Sequence, residues 1–243
     1  YQETLIVVPD FLCPLYERTE LLKRICRAEE LSTTVGESAA EWIDLTYPML
    51  EFEPRVGAKV LDKLIFYESE EHVSRVYYTA LRKHLERLPE DFDARPFLER
   101  DADVGFLSSL GLSPFNYYTI HTGSDYAPKN WGDARYEALI AELTTKYPNL
   151  NCVGIFGPQD RDLFQAREAP KNYRALRVAL ANVVEIFAGT LFHVDNDSGI
   201  NHLAGVMNTP SLSIWGFTGP GTWGSMSQQH FTFWGGPSCA DHC

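Results

Sequence analysis

Residues 194–205 read Val194-Asp-Asn-Asp-Ser-Gly-Ile-Asn-His-Leu-Ala-Gly205, an acidic turn followed by small residues and a histidine. The apolar residues Leu191 to Val194 predict a short strand before the turn. Gly199 to Met207 predict a helix after it, which ends before an Asn-Thr-Pro breaker. The stretch is therefore predicted to be a strand, a tight turn and a helix.

The start of this helix is a candidate phosphate site. Asp197 and Ser198 occupy the cap, and the amides of Ser198, Gly199 and Ile200 lack partners within the helix, whose dipole adds positive charge there. Gly199 lets a ligand approach the backbone, and His202 lies one turn along on roughly the same face. An ordinary capped helix with a satisfied histidine has the same residues, so this interpretation needs a second segment.

A second strand, loop and helix at residues 117–147 provides that segment. An aromatic and β-branched strand begins at Tyr117 and leads into a polar loop that contains Thr122, Ser124 and Lys129. Apolar residues at helical spacing follow, and the helix is predicted to stop near Tyr147. Both loops thus follow a strand and carry groups that bind phosphate.

The rest of this half continues the alternation. Strands are predicted at Cys152 to Phe156 and Ser211 to Ile214, with helical stretches between the first of these and about Ala188. Alternating strands and helices predict a doubly wound parallel α/β sheet, in which ligands bind at the carboxyl ends of the strands. The two loops are therefore expected at the same edge.

Composition limits the classes of function. The chain has 243 residues, is 44% apolar and carries a net charge of −12, which argues against general nucleic-acid binding. It contains no apolar run long enough to span a bilayer and does not open with a signal-peptide pattern. Its five cysteines suit a reducing compartment. We expect the chain to act in the cytoplasm or at a membrane surface.

The order of these motifs resembles glycosyltransferase family nine, the bacterial ADP-heptose:lipopolysaccharide heptosyltransferases of GT-B architecture. The resemblance covers about residues 116–243. The matching motifs are His121-Thr-Gly-Ser124, Lys129-Asn-Trp131, Gly154-Ile-Phe-Gly157, Asn196-Asp-Ser-Gly-x-x-His-Leu-Ala204, the stretch from Pro210 to Pro220, and the late cysteines Cys239 and Cys243.

The resemblance implies two Rossmann-like doubly wound parallel-sheet domains. Residues 1–115 would form a partial amino-terminal, acceptor-side domain with a linker near 104–116, and residues 116–243 the nucleotide-sugar-binding domain. The family's Gly-Asp turn, which carries the catalytic base, has no counterpart here. The amino-terminal domain is therefore expected to be incomplete and the base to lie outside the chain. Asp10, after the strand Leu5 to Pro9, is a weak candidate for that base.

The resemblance also implies an inverting transfer of heptose from ADP-heptose to a lipopolysaccharide core or another glycan, without an obligatory metal. It places the protein in the cytoplasm, with peripheral contact with the inner membrane. Phosphate groups need convergent donors, which a lysine, hydroxyls and helix amides supply. The candidate donor-binding residues are Thr122, Ser124, Lys129, Asp197, Ser198, Gly199 and His202.

Three alternatives stay open at this point. The chain could be a GT-B enzyme with another nucleotide-sugar or a protein acceptor, or a nucleotide-sugar-binding module without catalysis. Cys239 and Cys243, with His242 between them, are weak metal candidates because they provide three of the four ligands of a tetrahedral site. The pair Asp195 and Asp197 resembles a metal-binding D-x-D, but a position at a strand end and a helix start argues against that role.

Overall fold

The computed structural model describes residues 71–84, 98, 100–124, 126–157, 160, 162–164, 168–216 and 218–235, and the strands at 6–8, 25–27, 41–44 and 59–63. By its contacts the chain divides into two compact units, residues 1–93 and 94–243. The predicted domain division at residue 116 stays a prediction.

The first unit contains two parallel strand pairs and a helix. Strand β1 (Ile6–Val8) pairs with β2 (Ile25–Arg27), and β3 (Glu41–Asp44) pairs with β4 (Lys59–Lys63). Helix α1 spans Val73–His84. Parallel pairs are typical of α/β folds, which agrees with the predicted fold class. Asp10 lies outside the described residues.

The second unit contains a six-stranded parallel sheet. Its strands are β5 (Tyr117–Ile120), β6 (Asn151–Phe156), β7 (Tyr173–Arg177), β8 (His193–Asn196), β9 (Ser211–Trp215) and β10 (His230–Trp234). Their order across the sheet is β10-β9-β8-β5-β6-β7, the doubly wound order. The order reverses between β5 and β8, and ligands bind at that switch point in such sheets. The predicted α/β fold is confirmed.

The described part of this unit also contains helices. They are α2 (Val104–Ser109), α3 (Asp133–Lys146), α4 (Leu180–Gly189), α5 (Gly199–Val206) and α6 (Pro220–Trp223), with a 3-10 turn at Ala127–Lys129. The predicted helices after β5 and β8 are therefore confirmed. The segment before β5 also packs in this unit, because the Phe115 amide donates to the Gly189 carbonyl at 2.7 Å.

Three strand predictions were wrong. Residues 173–177 were predicted to be helical but form β7, an edge strand whose mixed polar sequence lacks the apolar signal of a buried strand. Strand β10 was not predicted; it is the other edge, and most of its side chains are exposed. Strand β8 begins at His193 and not at Leu191, so Asp195 lies within the strand.

Successive side chains of the central strands face opposite sides of the sheet. Tyr118 and Ile120 of β5 pack in one apolar cluster with Tyr136 and Ile140 of α3. Tyr117 points the other way, and its hydroxyl donates to the Ile186 carbonyl of α4 at 2.6 Å. Helices therefore cover both faces, and the core holds the strand ends of the switch point in place.

Gly154 in β6 marks a position where the core has no room for a side chain. A Cβ added there would lie 2.5 Å from the Tyr173 hydroxyl and 2.7 Å from the Phe156 ring. We expect Gly154→Ala to lower the free energy of unfolding by about 1–3 kcal/mol in urea denaturation, because overpacking forces neighbouring side chains apart. Gly221→Ala is the matched control, since its added Cβ meets nothing within 4 Å. Equal urea midpoints for the two variants would contradict the prediction.

Candidate active site

The switch point brings the two predicted loops together. In the register of β5 and β8, Ile120 lies opposite Val194, so the residues that follow are neighbours at the carboxyl edge. Lys129, from the loop after β5, places its Nζ 2.8 Å from Asp197 Oδ2, from the turn after β8. The expectation that both loops lie at one edge is confirmed.

Asn196 fixes the first loop onto the end of β8. Its Oδ1 accepts from the Trp131 amide at 3.1 Å and from the Tyr136 hydroxyl at 2.8 Å. Its Nδ2 donates to the Thr122 carbonyl at 2.7 Å and to Asn130 Oδ1 at 3.4 Å. A fully buried side chain thus satisfies groups at both ends of the loop that carries Lys129.

The start of α5 has the predicted cap. Ser198 is the N-cap residue, and its Oγ accepts from the amides of Ile200 at 3.1 Å and Asn201 at 3.3 Å. The prediction that the Ile200 amide is available to an anion was therefore wrong, because the cap takes it. Within the described part of the chain, no hydrogen bond uses the amides of Ser198 or Gly199. Gly199 is exposed, and a Cβ added there would meet nothing within 4 Å, so the first residue of α5 is accessible to a ligand.

Asp197 joins three motifs. Its buried carboxylate accepts from the Thr218 hydroxyl, in the stretch between Pro210 and Pro220, as well as from Lys129. A lysine ammonium has three donors, so Lys129 can contact Asp197 and an anion together. Asp197 therefore holds the Lys129 ammonium two residues before Gly199, where α5 begins.

The other predicted site residues, Ser124, Thr122 and His202, lie on the loop after β5 and on α5. Ser124 shapes the loop, because its Oγ accepts from the Tyr126 amide at 3.3 Å and its carbonyl from Asn130 Nδ2 at 3.2 Å. Thr122 is half-buried, and its carbonyl is held by Asn196. His202 is exposed on α5.

Sequence reasoning missed a buried cluster at the same strand ends. His121 Nδ1 lies 2.8 Å from Asp195 Oδ1, and the Ser198 hydroxyl donates to Asp195 Oδ2 at 2.5 Å. On the other side, His193 Nε2 lies 3.4 Å from Asp195 Oδ2, and its Nδ1 lies 2.9 Å from the Thr119 hydroxyl. The signal was available: polar residues alternate at 119 and 121 on one strand and at 193 and 195 on the next, so they share one face.

The pKa values of the three ionisable residues in this cluster are shifted in different directions. Burial by itself would raise the pKa of Asp195, but His121 and His193 outweigh it and lower the pKa to about 2. Burial would lower the pKa of His121, but the Asp195 carboxylate, with a smaller effect of Asp160, raises it above 6.5. Burial dominates at His193 and lowers its pKa. The electrostatics of the cluster therefore favour protonation of His121 over protonation of His193.

Comparison with known proteins now identifies the family. Residues 80–243, about two thirds of the chain, match the model of glycosyltransferase family 9 (heptosyltransferase). The chain belongs to glycosyltransferase family nine. The predicted family and the predicted enzyme class, a glycosyltransferase, are both confirmed. No curated protein sequence matches the chain significantly.

Solved structures of heptosyltransferases share the fold of this glycosyltransferase. E. coli ADP-heptose lps heptosyltransferase II matches with a TM-score of 0.70 at 18% identity, covering 96% of this chain and 82% of its own. The E. coli heptosyltransferase WaaC with ADP matches with a TM-score of 0.64 at 14% identity, covering 95% and 83%. The dodecameric iron-containing heptosyltransferase TibC of E. coli, in complex with ADP-D-beta-D-heptose, matches with a TM-score of 0.50 at 18% identity, covering 93% and 61%. The GT-B architecture is thereby confirmed.

The expectation that the glycosyltransferase needs no metal stays a prediction. Among the described residues, no group of three or more His, Cys, Asp or Glu side chains could hold a metal ion. The metal candidates Cys239 and Cys243 lie outside the part of the chain that the structure describes. In that described part, no helix is long and apolar enough to cross a membrane.

Proposed function

We propose that this glycosyltransferase transfers a heptose, with inversion, from ADP-heptose to a lipopolysaccharide core or another glycan acceptor. The observation that carries the proposal is the contact of Lys129 Nζ with Asp197, two residues before the exposed helix start at Gly199, at the switch point of the sheet. A helix start with a nearby cation is suited to a diphosphate. The donor-binding residues in this proposal are Thr122, Ser124, Lys129, Asp197, Ser198, Gly199 and His202.

The chemistry explains why such a site belongs to the donor. When the acceptor hydroxyl displaces the nucleoside diphosphate from the anomeric carbon, negative charge grows on the leaving phosphate oxygen. Groups that are already in position stabilise this charge more in the transition state than in the ground state. Lys129 supplies a full charge, and the amides of Ser198 and Gly199 supply oriented dipoles. This stabilisation comes from protein groups alone.

Two structural relatives support ADP as the nucleotide. WaaC is seen with ADP, and TibC with ADP-D-beta-D-heptose. Their identity to this chain is low, so the proposal for the nucleotide rests on the shared family together with the site. We propose that the enzyme acts at the cytoplasmic face of the inner membrane, where a lipopolysaccharide core would be its acceptor. The carboxylate that activates the acceptor is proposed to lie outside the described residues.

Calorimetric titration with ADP, GDP, UDP and adenosine, in EDTA, tests the nucleotide. We expect ADP to bind more tightly than GDP and UDP, and adenosine to bind weakly because it lacks the diphosphate. Tighter binding of GDP or UDP would mean that the donor is a nucleotide sugar other than ADP-heptose. Binding that appears only after Fe²⁺ or Mg²⁺ is added would overturn the expected independence of metal.

A further inference from the structure

His121 has a ring nitrogen that the buried cluster does not use. Its Nδ1 lies 2.8 Å from Asp195 Oδ1, and in the described part of the chain no hydrogen bond uses its Nε2. The side chain is 10% exposed. A Cβ added at Gly123 would lie 3.3 Å from Nε2, so this nitrogen lies against the backbone of the loop after β5. The same point lies 3.9 Å from Asp160 Oδ2, so the space beside Nε2, which Gly123 leaves free of a side chain, is bordered by a carboxylate.

His121 lies at the same strand ends as the proposed diphosphate site. The ring follows β5 at the switch point, and the hydroxyl of the α5 cap residue, Ser198, lies 3.4 Å from its Nδ1. Ser198 directly precedes Gly199, the exposed first residue of α5. His121 and the start of α5 therefore lie at the same edge of the sheet.

The contact with Asp195 restricts the state of the ring. A carboxylate accepts hydrogen bonds, so Nδ1 must carry a proton. In a neutral imidazole with that proton, Nε2 would present a lone pair, which repels an anion. Only the imidazolium carries a proton on both nitrogens and can donate to Asp195 and to a phosphate at the same time.

We infer that Asp195 holds His121 as an imidazolium whose Nε2–H donates to the diphosphate of the sugar donor. His121 is then a phosphate-binding residue, and Asp195 is a positioning residue that acts through it. This inference rests on the proposed function, because it takes the donor to be a nucleoside diphosphate sugar.

The groups around His121 support its charged state. Asp195 on β8 and Asp160 after β6 are anions that raise the pKa of the ring, whereas burial lowers it. His193, also on β8, has a pKa lowered by burial and does not add a competing positive charge at neutral pH. The Ser198 hydroxyl donates to the second oxygen of Asp195 and so keeps the first oxygen directed at the ring.

His121 and Lys129 are positioned in the same way. Each cation is paired at 2.8 Å with a buried carboxylate, Asp195 or Asp197, and each keeps at least one donor for a ligand. The carboxylates fix the direction of the donors before the substrate arrives, so less ordering is needed on binding. As the leaving phosphate gains charge, both donors strengthen without moving.

The test uses ADP-glucose, because its diphosphate has no ionisation between pH 6 and 9. For the wild type we expect affinity to be highest at low pH and to fall above pH 6.5, as the pH passes the raised pKa of His121. His121→Gln keeps a donor but removes the charge, and we expect roughly a ten- to hundredfold weaker and pH-independent affinity. Asp195→Asn should move the fall in affinity to lower pH, because burial then dominates the pKa of the ring.

A second measurement follows the His121 ring in the wild-type protein itself. In the wild-type protein, the His121 ring signal, assigned by its loss in His121→Gln, should titrate at higher pH when ADP-glucose is bound than when it is absent. An unchanged titration, with equal affinity in His121→Gln and wild type, would overturn this inference. Lys129→Met separates the role of Lys129 in the proposed function from the role of His121 inferred here. This variant should bind ADP-glucose more weakly but keep the pH dependence of the affinity. If the wild-type protein binds no ADP nucleotide, the proposed function and this inference both fail.

Discussion

Lys129→Met should lower kcat/KM for transfer from ADP-heptose by about 100-fold or more, the scale seen when one donor to a developing negative charge is removed. Lys129 carries a full positive charge, and its Nζ is held 2.8 Å from Asp197 Oδ2, two residues before the start of α5. Methionine keeps the length and the apolar stem and removes only the ammonium. The loss should lie in kcat as well as in KM, because the charge on the phosphate grows in the transition state.

Two variants separate catalysis from folding in this experiment. Lys146→Met removes a lysine from the far end of α3, where its Nζ lies 5.5 Å from the Tyr147 ring centroid, and should leave kcat/KM unchanged. Lys129→Met leaves the buried carboxylate of Asp197 with Thr218 as its described partner, which costs stability. The double variant Lys129→Met/Asp197→Asn removes that unpaired charge. It should regain thermal stability but not activity.

Steady-state kinetics with wild type and the three variants gives the answer. If Lys129→Met retains kcat/KM within threefold of wild type, Lys129 does not contact the diphosphate. If the double variant regains both stability and activity, the effect of Lys129 on the reaction is structural. Either result would overturn the role of Lys129 in binding the diphosphate, and the proposed function depends on that role.

The sequence predicted the centre of the fold better than its edges. Strands β5, β6 and β9 are rich in apolar, β-branched or aromatic residues, and burial on both faces gives them a signal that local reasoning detects. Strand β7 reads Tyr-Arg-Ala-Leu-Arg, and among the described strands it pairs with β6 alone. Most of its side chains are exposed, and its sequence is compatible with a helix. Its strand conformation is decided by the neighbouring β6 ladder, which no local pattern encodes.

The candidate site was predicted in its parts but not in its pairings. Lys129 and Asp197 were each assigned to the donor, and their 2.8 Å contact depends on the parallel register of β5 and β8. Asp195 was considered only as part of a D-x-D pair, at the end of a strand assigned to Leu191 to Val194. Once β8 is extended to Asn196, Asp195 faces His121 on the neighbouring strand. An error of two residues in one strand boundary thus concealed the buried cluster.

Asn196→Ala should lower the free energy of unfolding by about 3 kcal/mol or more, the largest stability effect that we expect in this chain. Asn196 Oδ1 and Nδ2 make four hydrogen bonds to the loop after β5 and to α3. Alanine leaves the Trp131 amide, the Tyr136 hydroxyl and the Thr122 carbonyl without this partner. Each buried group that loses its partner costs about 1–3 kcal/mol.

Asn201→Ala is the matched control, five residues further along the chain. Asn201 is as fully buried as Asn196, but neither polar atom of its side chain has a hydrogen-bond partner among the described residues. The same truncation therefore removes the same atoms without breaking a hydrogen bond. We expect a change within about 1 kcal/mol, because the loss of packing is offset by removal of two unpaired polar atoms.

The difference between the two variants in urea denaturation isolates the hydrogen bonds of Asn196 from the cavity that both variants create. Equal losses of stability would mean that packing, and not the hydrogen bonds, holds the loop. The loop also carries Lys129, so Asn196→Ala should weaken ADP binding at temperatures where the protein is still folded, whereas Asn201→Ala should not. Because one buried amide holds the segment that positions the ammonium, the stability of this loop and the affinity for the donor are expected to fall together.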